Sequence, residues 1–169
     1  MNTSKKVAFT GLCAALALIL AYLEALLPPL FAAVPGIKMG LPNLVIVFLL
    51  YRSGFWNAAA VSLVRMVLVS LLFGNAMSFL YSLAGGVLSL AVMLLLKRLP
   101  FFSTLGVSVA GGVLHNVGQV LMAMLLLETS ELAYYLVVLT VSGTVAGVLI
   151  GLGSAALIRK IPDFSRFFK

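Results

Sequence analysis

The sequence predicts an all-α, polytopic membrane protein built as one bundle of six transmembrane helices. Three observations carry this expectation. The 169 residues are 63% hydrophobic and only 9% charged, with a mean hydropathy of +1.23. The apolar residues fall into six runs, at about 7–27, 41–51, 54–73, 76–96, 101–127 and 133–158. Ten of the eleven basic residues lie between or beyond those runs, the exception being Arg65. A bilayer-spanning helix takes roughly 20 mostly apolar residues. The chain therefore has room for five or six spans and no soluble domain, and residues 1–169 read as a single integral membrane domain.

The first run continues without a break to Leu27 and is too long for a cleavable leader. It carries small residues at helical spacing, Gly11 with Ala15 and then Ala17, Ala21 and Ala25. Its single cysteine, Cys13, fits ordinary apolar packing. The second run is short by the length rule. It borrows from the preceding loop, Leu27 to Gly40, which Pro28, Pro29, Pro35 and Gly36 punctuate. Pro42 suits a first helical turn there. The third run holds Arg65 about halfway along it. The fourth carries a mildly polar stripe of Ser78, Tyr81, Ser82, Gly85 and Ser89, and the fifth a stronger one of Ser108, Gly112, His115, Asn116 and Gln119. The sixth repeats Gly143, Gly147, Gly151 and Ala155 at intervals of four, a spacing that lets helix backbones approach closely.

The formal net charge of +7 does not point to nucleic acid, because no basic patch with interleaved aromatics is present. The basic residues instead set orientation. With six spans, Lys5, Lys6, Arg52, Lys97, Arg98, Arg159, Lys160, Arg166 and Lys169 all fall on one side. Lys38, the Gly74–Asn75 turn, Glu128 and Glu131 fall on the other. Both termini are therefore expected in the cytoplasm, with the chain in the cell membrane.

Polar groups inside a bilayer are costly, and a stripe of them marks a cavity or a helix contact. Arg65 suits an anionic ligand group, because a guanidinium pairs bidentately with carboxylate or phosphate; the alternative is a structural ion pair with Glu24. His115, Asn116 and Gln119 offer donors and acceptors to a ligand or, equally, to a neighbouring helix. Ser78, Tyr81 and Ser82 form a second wall. Lys38 and Asn43 sit at the start of the second helix, where free N–H groups and the positive dipole end favour an anion. The expected cavity opens outward, walled by helices 3, 4 and 5 and roofed by the Pro28–Asn43 loop. No nucleophile–base pair or phosphate-binding loop is present. The only Asp, Asp163, lies past the last run, and one His with one Cys gives too few metal ligands. No enzymatic activity, metal or cofactor is expected.

Four stretches carry a resemblance: Pro35–Asn43, Val64–Leu68 with Ser70–Gly74, Ser78–Gly86, and Gly111–Gln119. They resemble the bacterial Gx transporter family, often labelled heptaprenyl diphosphate synthase component I, nearly end to end. That family in turn looks like the substrate-binding S-components of energy-coupling-factor (ECF) transporters. The resemblance implies a six-helix subunit that binds a small, anionic or amphipathic micronutrient, or an isoprenoid or quinone precursor. It also implies assembly with a transmembrane coupling protein and two ATPase subunits, through small residues of the first helix, here Gly11 and Ala15. The alternative is a non-catalytic membrane subunit or anchor of a prenyl diphosphate, quinone-related or flavin-redox enzyme complex.

Overall fold

The computed structural model describes residues 3–26 and 40–162. They form six helices: α1 (Thr3–Leu26), α2 (Asn43–Arg52), α3 (Phe55–Phe73), α4 (Ala76–Lys97), α5 (Thr104–Leu127) and α6 (Tyr135–Lys160), the last entered through a short 3-10 turn, Glu131–Tyr134. The polytopic helical bundle expected from composition is present. Five of its helices are long and apolar enough to cross a membrane.

The exception corrects the expected six spans. With ten residues at 1.5 Å each, α2 reaches about 15 Å, half of a hydrocarbon core of about 30 Å. It does not face lipid either. Val45 through Leu50 are each at most 7% exposed, so the helix is buried on every side. A helix that is apolar all round belongs in an interior, and backbone ends at membrane depth are tolerated where protein covers them. Polar side chains tie α2 to its neighbours. Ser154 of α6 donates to the Leu44 carbonyl (3.2 Å), and Lys97 of α4 donates to the Leu50 carbonyl (2.5 Å) while its ammonium lies 5.0 Å from the Tyr51 ring centre. The Arg52 guanidinium donates to the Ile158 carbonyl. Lys97 and Arg52, expected only as topology signals, thus also secure the C-terminal turn of α2.

These contacts fix the direction of the chain. The C-terminal ends of α2, α4 and α6 meet at one end of the bundle. Helix α3 starts there, after a tight turn at Gly54, whose φ of 96° favours glycine. At the opposite end the rings of Tyr22 and Phe73 lie 5.4 Å apart, joining the C-terminal ends of α1 and α3. The start of α1 and the end of α6 therefore share one end of the bundle. Exposed aromatics mark both ends, Trp56 and Phe101 at that end and Tyr134 at the other, as membrane interfaces favour.

Local chemistry explains the remaining boundaries. Asn75 and Ser78 form a reciprocal capping box at the start of α4, with Ser78 N–H donating to Asn75 Oδ1 and Asn75 N–H to Ser78 Oγ, both 2.9 Å. Ser103 caps α5. The glycine spacing of α6 does what it predicts. A Cβ on Gly112 of α5 would come within 2.5 Å of the Gly143 carbonyl oxygen, and one on Gly147 within 2.6 Å of Val109 Cα. On the other side of α5, a Cβ on Gly118 would meet the Ala84 carbonyl at 2.8 Å. Helix α5 is thus clasped between α4 and α6 at near backbone-to-backbone distance.

Candidate functional site

A cavity of about 430 Å³ lies inside the bundle. All six helices contribute to its lining: Ala21, Glu24 and Ala25 of α1, Asn43 and Val47 of α2, Arg65 and Val69 of α3, Tyr81 and Ser82 of α4, His115 and Gln119 of α5, Leu139 and Gly143 of α6. This corrects the expected three-helix wall. The other helices reach the cavity because the glycines of α5 and α6 and the alanines of α1 remove side-chain bulk from their inner faces.

The two polar stripes converge. Along α5 the lining runs from Ser108 to Ala123, fifteen residue steps or roughly 22 Å of helix. Gly85 of α4 lets this happen: a Cβ there would collide with the His115 carbonyl oxygen at 2.6 Å and approach His115 Nδ1 at 3.1 Å. His115 is held against that glycine, close enough to Arg65 for the two to interact electrostatically.

Arg65 is the central group. Its Nε is fully buried with no hydrogen-bond partner, and the residue lines the cavity. Glu24 of α1 lies within its electrostatic reach. The Glu24 carboxylate in turn accepts a hydrogen bond from the backbone N–H of Gly40, which ties the chain before α2 to the wall of the cavity.

The expected site residues fare unequally. Asn43, Arg65, Ser78, Tyr81, Ser82, His115, Asn116 and Gln119 all line the one cavity. Lys38, and most of the Pro28–Asn43 segment expected as a roof, lie outside the described residues. Two residues have structural partners. The Asn116 amide donates to the Leu139 carbonyl (2.7 Å), crosslinking α5 to α6, and Ser78 is occupied by the capping box. The start of α2 is also not the anion cradle expected of it. The N–H groups of Asn43, Leu44 and Val45 donate to the carbonyls of Gly40, Leu41 and Pro42 at 2.8–3.1 Å, a tight first turn that leaves those donors occupied. Gly11 and Ala15 face away from the bundle; a Cβ on Gly11 would meet nothing within 4 Å.

Comparison with known proteins supplies one match. The family described as heptaprenyl diphosphate synthase component I matches residues 13–157. The chain belongs to this family. No curated protein and no solved structure matches it. Two members of the polar stripes lie outside the expected ligand contacts yet line the cavity. Ser89 and Ser108 line its deeper part, nearer the shared end of α2, α4 and α6. Both stood in the polar stripes, but period alone did not separate them from small residues used for packing. Among the described residues no group of three or more His, Cys, Asp or Glu is placed to hold a metal ion.

Proposed function

We propose that this chain is the small-molecule-binding membrane subunit of an uptake system, similar to the S-components of ECF transporters, and that it contributes binding rather than catalysis. One observation carries the reading: a guanidinium without a hydrogen-bond partner at Nε faces a cavity walled by all six helices. An arginine at this depth is expensive to keep unless something pairs with it. An anionic group on a ligand does so bidentately. Glu24 lies close enough to moderate the charge of Arg65, which favours a singly charged group over a diphosphate. His115, Gln119, Tyr81 and Ser82 then orient the ligand.

The family description offers a second reading, a membrane component of a prenyl diphosphate synthase complex. The first reading is favoured by what the cavity offers an occupant: about 430 Å³, within the range of small-molecule sites, and on its wall an arginine whose Nε has no hydrogen-bond partner.

On this reading the shared end of the described chain faces the bacterial cytoplasm, where its basic residues belong. In a Cys13→Ala background, Ser4→Cys resists a membrane-impermeant maleimide added to intact cells, and Ser130→Cys is labelled. Labelling of Ser4→Cys from outside contradicts this orientation. The exposed Gly11–Ala15 face is proposed to meet a transmembrane coupling protein that carries two ATPase subunits. Ala15→Trp then abolishes co-purification with that protein while ligand binding stays at the parental level, because close helix approach needs small side chains. Undiminished co-purification removes the proposed interface.

A further inference from the structure

We propose that the cavity contains a second polar subsite at its deep end, centred on Ser108, which receives an uncharged hydrogen-bonding group of the same ligand whose anionic group pairs with Arg65. The inference rests on the reading of Arg65 as the anchor and adds a shape and a chemistry to the ligand.

Ser108 is 3% exposed, and its Oγ is fully buried without a hydrogen-bond partner. Buried hydroxyls are almost always paired, and a serine in a helix normally finds a carbonyl in the preceding turn. Ser108 instead sits on the wall of the cavity, with Gly111 next along the same face. Ser89 of α4, 5% exposed, is also on the wall. The glycine is what brings the two helices together here: a Cβ on Gly111 would lie 3.2 Å from Ser89 Oγ and 2.6 Å from Met93 Sδ. The deep end therefore gathers two serines in a lining that otherwise includes the apolar Met93, Val47 and Ile150.

The spacing sets the ligand. His115, within electrostatic reach of Arg65, is seven residues from Ser108 on α5, about 10 Å along the axis. A matching molecule is elongated, carries one anionic group, and bears a hydroxyl, carbonyl or ring nitrogen about 10 Å away. A prenyl chain, which ends in methyl groups, leaves Ser108 unpaired and is disfavoured.

The test compares two probes of matching length, octanoate and 8-hydroxyoctanoate, titrated into the detergent-solubilised full chain by calorimetry. The hydroxylated probe gains over octanoate in the parent relative to Ser108→Ala by roughly fivefold, the measure of one neutral hydrogen bond. Octanoate itself binds parent and Ser108→Ala alike, and Arg65→Ala removes binding of both probes. If the ratio of the two affinities is the same in parent and Ser108→Ala while both remain dependent on Arg65, the deep subsite is wrong and the Arg65 anchor stands. If neither probe binds in an Arg65-dependent manner, the anchor and the subsite fall together.

Discussion

Arg65→Ala weakens binding of a carboxylate ligand by between about thirtyfold and several thousandfold, the range that follows from 2–5 kcal/mol for truncating one partner of a buried charged contact. The effect is large because the ligand's anion loses its guanidinium partner while it stays in a protein interior. Arg65→Lys recovers part of the loss. It restores the charge but not the planar fork that holds two carboxylate oxygens at once. Both variants are expected to fold: among the described residues, the Arg65 guanidinium bonds no backbone group. Circular dichroism and gel filtration check the fold, and titration with octanoate reads the affinity. Equal affinity in parent and Arg65→Ala makes Arg65 a structural partner of Glu24 and nothing more.

The largest expected effect on stability comes from a glycine. Gly112→Val drives a branched side chain into the Gly143 carbonyl, where even a Cβ would approach to 2.5 Å. The obstacle is backbone, so no rotamer change relieves it, and α5 and α6 must separate. Overpacking of this kind costs about 1–3 kcal/mol or more, read as a clear drop in thermal unfolding temperature in detergent. Gly11→Val is the matched control. It makes the same chemical change on a helix face with open space around it, and its unfolding temperature stays at the parental value. A Gly112→Val protein as stable as the parent shows that the α5–α6 contact tolerates separation.

The legibility of this molecule in its sequence follows the physics of each element. Helices α1, α3, α4, α5 and α6 were plain because a long apolar run has one solution in lipid. The glycine interval of α6 was equally plain, because backbone proximity tolerates only small residues there. The sequence of α2 reads as a short span, yet α2 is a buried half-length helix. Its run of Val, Ile, Phe and Leu looks the same whether lipid or protein surrounds it, and only the fold distinguishes them. Lys97, an orientation signal in the sequence, also caps the Leu50 carbonyl. The convergence of the stripes on one cavity was legible from their period. Which members keep free polar atoms was not. The Asn116 amide bonds the Leu139 carbonyl, whereas the Ser108 hydroxyl has no partner, and that difference depends on how the helices pack and not on the period of the stripe.

Native mass spectrometry of the full chain, released from the membranes in which it was made, tests the central claim most directly. The parent is predicted to carry an adduct of a few hundred daltons that ionises as an anion once released, and Arg65→Ala, prepared in parallel, is predicted to lack it. Identical adduct spectra from the two proteins, whether both occupied or both empty, contradict an anionic ligand held at Arg65.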